Sequence, residues 1–250
     1  SRRELSKVLN FDEVITPVTY INSAADLKAF CGEHGGIVCT STNAPKILEW
    51  AFQQKEKVLF FPDQNLGRWS GYKMGIPLEQ MPVWDPDQPM GGLTEEQIKN
   101  AKILLWKGHC AVHQMFREQN ITKFRAEHPE GKVISHPESP FEVCLNSDYV
   151  GSTEYILKTV SDAPAGTHWL VGTELNLVNR LAEQMKPQGK TVQFMSHVVC
   201  ECSTMARIDP QHLAWTLENL ADGNVVNQIK VPAHEAELAK LTLDRMLAVS

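Results

Sequence analysis

Short apolar runs alternate with longer segments of helical period along most of the chain. The runs Thr16–Ile21, Ile37–Thr40, Val58–Phe61, Ile103–Trp106, Val133–Ser135, Tyr149–Gly151, Trp169–Val171 and Val192–Met195 are strand-sized. Between and after them, helical periodicity covers Ala24–Phe30, Ala44–Gln54, Ala111–His128, Ser152–Val160, Leu175–Gln184 and Pro210–Leu220, and a last helix is predicted over Ala233–Val249. Strands alternating with helices imply βαβ units and a mostly parallel sheet. The predicted class is therefore α/β.

The alternation also repeats. Val18–Asp26 and Ile134–Glu142 each read as a strand, a polar turn and a helix, with Tyr20 and Asn22 in one turn and His136 and Glu138 in the other. Small hydroxyl residues then close the second strand of each unit, Ser41-Thr42 and Ser152-Thr153. After the third strand, Pro62-Asp63-Gln64-Asn65-Leu66 matches Thr173-Glu174-Leu175-Asn176-Leu177, and the step from Ser41 to Asp63 equals that from Ser152 to Glu174. Each unit ends in a strand, a cysteine (Cys110 or Cys202) and a new helix. Several matches in one order predict a duplicated unit of ~110 residues. Residues 68–97 fall outside the repeat; their glycines, prolines and tryptophans predict an ordered excursion, a lid or an interface.

Composition narrows the function classes. The chain has 250 residues, 24 Lys+Arg against 30 Asp+Glu, and a formal charge of −6. Nucleic-acid and anionic-membrane partners need clustered basic residues, and none occur here. No apolar run approaches the ~20 residues of a membrane span, and the segment from Ser1 to Asn10 lacks the apolar core of a secretory signal. These features predict a cytoplasmic protein. Its cysteines then read as thiols rather than as a disulfide framework. Cys31, Cys39 and Cys144 lie in apolar segments and are expected in the core.

Ligands of parallel α/β sheets bind beyond the carboxyl ends of the strands. The polar positions named above all fall at such ends. Each has an ordinary alternative: Ser41, Ser152, Asp63 and Glu174 are good helix caps, Tyr20 is core-compatible, and His136 suits a turn. Together they describe an edge offering hydroxyl and N–H donors to carboxylate or phosphate. Glu138 beside His136 is a candidate general base, expected to have a raised pKa. Cys110 and Cys202 at helix starts are expected to have lowered thiol pKa values, as nucleophiles or metal ligands. Zinc and an iron–sulfur cluster both remain open on these residues.

The same residues carry a family resemblance. Thr19-Tyr20-Ile21-Asn22-Ser23, Cys39-Thr40-Ser41-Thr42-Asn43-Ala44, Pro62-Asp63-Gln64-Asn65-Leu66-Gly67 and Gly108-His109-Cys110-Ala111-Val112-His113 resemble quinolinate synthase, as do His136-Pro137-Glu138, Gly151-Ser152-Thr153, Gly172-Thr173-Glu174 and Cys202-Ser203-Thr204-Met205. The resemblance implies three-layer αβα domains with parallel sheets around a pseudo-threefold axis, two of the three repeats lying in this chain. It divides the chain into a linker (1–15), the family's second domain (16–108), its third domain (109–200) and a C-terminal helical segment (201–250), which would pack on the absent first domain.

It also implies a transferase of NAD biosynthesis that condenses iminoaspartate with dihydroxyacetone phosphate at a [4Fe–4S] cluster. An L-aspartate oxidase or dehydrogenase would supply the iminoaspartate. Cys110 and Cys202 would ligate the cluster, with Cys200 a conceivable further ligand. Glu138, Tyr20 and His136 would be catalytic, and Asn22, Ser41, Ser152, Thr153 and His113 would bind substrate. Two other readings stand beside it: a degenerate relative that binds a dicarboxylate or phosphate ester without catalysis, and a zinc-dependent hydrolase.

Overall fold

The computed structural model describes residues 2–198 and 202–249. Two short helices, α1 (Arg2–Leu5) and α2 (Phe11–Val14), lead into the first sheet. That sheet contains β1 (Ile15–Tyr20), β2 (Ile37–Cys39), β3 (Lys57–Phe61), β4 (Val83–Trp84) and β5 (Ile103–Trp106), in the order β2-β1-β3-β5-β4. The second contains β6 (Lys132–Ser135), β7 (Tyr149–Val150), β8 (His168–Gly172) and β9 (Thr191–Phe194), in the order β7-β6-β8-β9. Every strand pairing is parallel. Leaving β4 aside, the two orders are the same, so the predicted duplication is visible in the topology.

The intervening helices explain why the strands read as continuous apolar runs, since a covered parallel sheet is buried on both faces. In the first unit these are α3 (Ala25–Glu33), α4 (Ala44–Gln54), α5 (Gln64–Lys73) and α6 (Glu95–Asn100). The pleat divides its core in two: Val18, Phe60 and Leu105 face one layer, Leu59, Phe61 and Leu104 the other. In the second unit α7 (Glu118–Glu127), α8 (Phe141–Asn146), α9 (Thr153–Asp162) and α10 (Leu175–Met185) do the same, with Val133 and Leu170 against one layer and Ile134 and Val171 against the other.

The structure corrects one predicted element and adds detail to others. The predicted helix 111–128 splits into a single 3-10 turn (His113–Met115) and α7, because Arg117 is extended and Asn120 Oδ1 accepts its N–H at 3.1 Å. The stretch 68–97 is ordered: it finishes α5 and adds β4 as an edge strand, with Met81 and Trp84 buried. Glycine-rich α5 was not predicted. Its Gly67 lies against Phe60 and Leu105 where a Cβ would collide, so the feature that lowers its helix propensity lets it approach the sheet.

Two helices follow the second sheet, α11 (Pro210–Ala221) and α12 (Ala233–Val249). Within this chain α12 lies against α3 and β2 of the first unit. Ala239, Thr242 and Met246 make its buried stripe, Gly32 admits the backbone of Leu238, and Arg245 donates to the Gly36 carbonyl at 2.9 Å. By contrast α11 buries nothing, and Leu213, Trp215, Leu217 and Leu220 are exposed.

Candidate active site

The carboxyl ends of both sheets open onto one cavity of about 870 Å³. From the first unit it receives Tyr20 and Asn22 after β1, Asp63 after β3, and Cys110 with His113 after β5. From the second it receives His136 and Glu138 after β6, Thr153 after β7, Glu174 after β8, and Cys202 with Thr204 beyond β9. The two cysteines are equivalent in detail: the carbonyl of Cys110 accepts from Gln114 N–H at 3.0 Å, and that of Cys202 from Ala206 N–H at 2.8 Å. Each thus opens a short turn after the last strand of its sheet.

Two predicted site residues stand apart from the cavity lining. Ser152 caps α9, its hydroxyl accepting from Tyr155 N–H at 3.4 Å. Ser41 sits behind Tyr20 and hydrogen-bonds to its phenol oxygen. Cys31, Cys39 and Cys144 are buried in the core as expected. Cys200 lies outside the described residues.

At the centre is a buried carboxylate–imidazole pair. His136 Nδ1 lies 3.2 Å from Glu138 Oε2, and His136 and Glu138 are 3 % and 8 % exposed. The backbone N–H of Glu138 also approaches Nδ1, at a longer 3.4 Å. The shorter, charge-assisted contact places the ring proton on Nδ1. Burial pushes the Glu138 pKa up, but the His136 hydrogen bond, the neighbouring imidazoles of His136 and His113, and a hydrogen bond from Tyr20 together pull it below its usual value. The expected raised pKa is therefore corrected: Glu138 is held as the carboxylate. Tyr20 is shifted the other way, upward, by burial and by the charge of Glu138. Its phenol keeps its proton and donates it toward that carboxylate.

His113 packs against His136 with ring centroids 4.9 Å apart and the rings tilted by 30°. It is buried, and neither ring nitrogen has a hydrogen-bond partner. Burial, reinforced by His136, lowers its pKa to about 4, so the ring is neutral. An unpartnered buried imidazole is costly unless a ligand completes it. One ligand atom each from Cys110, His113 and Glu138 lies within 4.8 Å of the other two.

The thiols differ. Burial raises the Cys110 pKa, and the charges of Glu138 and Asp63 add to it against opposing backbone N–H bonds from His113 and Val112, which corrects the expected lowering. Cys202 is lowered as expected, by the Thr204 hydroxyl at 3.0 Å and by the Met205 N–H. The donor set of the cavity suits a soft metal or a thiolate-held cluster. Cys110 and Cys202 supply two thiols to it. Among the described residues no third cysteine lines the cavity.

The sequence also named Asp63, without its second contact, and missed Asn65. The Pro62–Asn65 turn was the available signal. Burial and the Glu138 charge push the Asp63 pKa up to about 7 against three backbone N–H donors, those of Leu66, Cys110 and Asn65.

Fold and site define a parallel α/β protein with an anionic, thiol-bearing cavity at the strand ends of two repeats. Comparison with known proteins agrees with this class. The family model of the quinolinate synthetase A protein matches residues 2–248, and the chain belongs to that family. It is 56 % identical to a quinolinate synthase of Rhodopirellula baltica over 247 residues, 98 % of this chain and 62 % of the relative. It is 52 % identical to one of Herpetosiphon aurantiacus over 249 residues (99 % and 66 %), and 53 % identical to one of Corynebacterium glutamicum over 238 residues (95 % and 60 %). The chain therefore spans less than two thirds of the length of these relatives. Among the described residues no helix is long and apolar enough to cross a membrane.

Proposed function

We propose that the chain supplies two of the three units of a quinolinate synthase, a cytoplasmic transferase of NAD biosynthesis. The reaction condenses iminoaspartate, delivered by an aspartate-oxidising enzyme, with dihydroxyacetone phosphate, and releases phosphate and water. The observation that carries this reading is the meeting of Cys110, Cys202, Tyr20, His136 and Glu138 on one cavity built by both repeats.

Cys110 and Cys202 are the residues that would hold a [4Fe–4S] cluster, which when bound supplies a Lewis acid. The chain's own side chains do the rest. Glu138, ionised and fixed by His136, accepts a proton from carbon at Oε1 or Oε2 during enolisation and dehydration. Tyr20 stands between Ser41 and Glu138, so a proton taken by the carboxylate has a hydroxyl path away from it. His113 offers its two unpaired nitrogens to substrate. Asn22 and Thr153 present polar side chains from opposite units to the substrate's carboxylates or phosphate, and Ser152 fixes the start of α9 beneath Thr153. In this reading Ser41 works through Tyr20.

Anaerobic reconstitution with iron and sulfide tests the proposal. A brown protein with a thiolate-to-iron band near ~400 nm, lost in Cys110→Ser and Cys202→Ser, is expected. Quinolinate binding that survives both substitutions would point to a non-catalytic dicarboxylate binder. Stoichiometric zinc without iron would point to a zinc hydrolase.

A further inference from the structure

Cys110 and Glu138 belong to different sheets, and the Asp63–Asn65 turn touches both of their segments. Asp63 Oδ1 accepts from Asn65 and Leu66 N–H at 2.8 and 2.9 Å, which caps α5. The other oxygen, Oδ2, accepts from the backbone N–H of Cys110 at 3.0 Å. Two residues on, Asn65 Nδ2 donates to the backbone carbonyl of Glu138 at 3.2 Å, and Asn65 Oδ1 is held by Arg68 at 3.4 Å. Asp63 and Asn65 are 3 % and 5 % exposed, so water does not compete for these bonds.

Helix capping explains only half of this. The repeat contains its own control, since Glu174 occupies the position of Asp63 and caps α10 through Leu177 N–H. The other Glu174 oxygen bonds the side chain of Asn176, within its own turn. No bond from Glu174 reaches the Cys202 segment among the described residues. The second oxygen of Asp63 and the amide of Asn65 therefore serve something other than their helix.

We infer that Asp63 and Asn65 are positioning residues that set Cys110 against Glu138 across the two sheets. The inference rests on the proposed function, in which Cys110 would hold the cluster and Glu138 would be the base for one substrate. A backbone N–H held at 3.0 Å fixes where the Cys110 side chain starts. The carbonyl held by Asn65 does the same for Glu138. Reacting groups displaced by ~1 Å can lose ~100-fold in rate.

The experiment compares Asp63→Ser, Asn65→Ala and the double variant in the full, reconstituted chain. Serine caps a helix about as well as aspartate, but a single short hydroxyl cannot also reach Cys110. Asp63→Ser should keep the Tm within ~3 °C and the amides at the start of α5 protected from hydrogen exchange. The Cys110 amide should exchange at least ~10-fold faster. Turnover should fall at least ~10-fold with KM within ~3-fold. The two single losses should combine less than additively, because both loosen one geometry.

Unchanged turnover in Asp63→Ser overturns the inference. So does a loss of turnover accompanied by unprotected α5 amides, which would mean that the residue only caps. Should the unaltered chain form neither cluster nor quinolinate, the functional reading fails on its own. Hydrogen exchange then decides the clamp, and an unmoved Cys110 amide refutes it.

Discussion

The strand-end edges of the two repeats share a topology and differ in their electrostatics. Cys110 follows β5 as Cys202 follows β9, and each opens the same short turn. Cys110 is half-buried beside two carboxylates, Asp63 and Glu138, and its thiol pKa is raised. Cys202 lies under a hydroxyl and a backbone N–H, and its pKa is lowered. Duplication reproduces strand order because βαβ handedness and burial restrict the alternatives. It does not reproduce what each strand end faces, which depends on the neighbouring unit. Cys110 is the more deeply buried thiol, which is the larger cause of its raised pKa, and the Glu138 carboxylate from across the boundary adds to it.

The comparison breaks most visibly at Glu138. In the proposed reaction Glu138 is the base, so Glu138→Gln should lower turnover by ~10²–10⁴, as steady-state assays will read. If Gln retains turnover, the carboxylate is not the base and the electrostatic contrast has no catalytic meaning.

The thiols themselves come next. In cluster-free chain at pH 7.5, iodoacetamide should label Cys202 at least ~10-fold faster than Cys110, as peptide mass spectrometry will read. Replacing Glu138 by Gln removes one charge that holds Cys110 up and should narrow the ratio. Equal rates in the unaltered chain would erase the contrast.

A smaller effect tests the buried imidazole. His113 has an ordinary pKa near 6.5 and a native value of about 4. Between those values the unfolded chain binds a proton that the native state refuses, so stability is lost as pH falls from 6.5 toward 4. Above 6.5 both states are neutral and the penalty is absent. Relative to His113→Phe, the unaltered cluster-free chain should lose up to about 3 kcal/mol more over that interval, as urea unfolding will read. Asp63, with its native pKa raised to about 7, works in the opposite direction in both proteins and cancels in the difference. Parallel stability curves would show that His113 titrates normally.

The smallest effect concerns the attachment of α12. Met246→Ala should cost about 2 kcal/mol by cavity formation, with the cavity chemistry untouched. A neutral result would detach α12 from the core of the first unit.

Much of this was legible in the residues. Buried parallel strands leave short apolar runs between turn signals, and β1, β2, β3, β5, β6, β7, β8 and β9 were all readable from them. The two-residue strand β4 was not, because Val83-Trp84 lies among prolines and gains its strand state only from pairing with β5. Tyr20, Asn22, Asp63, Cys110, His136, Glu138, Glu174 and Cys202 were placed on one edge by position and do line one cavity. Ser41 and Ser152, placed there too, stand behind the lining, and His113 and Thr153 were named only through the family resemblance. What position could not give was sign. The Glu138 carboxyl is lowered rather than raised because His136 turns toward it and His113 and Tyr20 of the other unit reinforce it. The Cys110 thiol is raised because it is buried and Glu138 and Asp63 add their charge. Both facts depend on side chains from different units meeting in space. Likewise the repeat suggested capping for Asp63 and Glu174 alike, and only the structure separates the oxygen that caps from the oxygen that holds Cys110.

The account's central claim is that one cavity, shared by both repeats, joins a thiolate-held centre to the Glu138 base. Its most direct test is an anaerobic assay of the chain reconstituted together with the remaining unit of a quinolinate synthase, given iminoaspartate and dihydroxyacetone phosphate, with product followed by mass spectrometry. Quinolinate and phosphate released together, and both abolished by Cys110→Ser, is the predicted result. A fully loaded cluster that yields no quinolinate, or quinolinate formed equally well by Cys110→Ser, would contradict it.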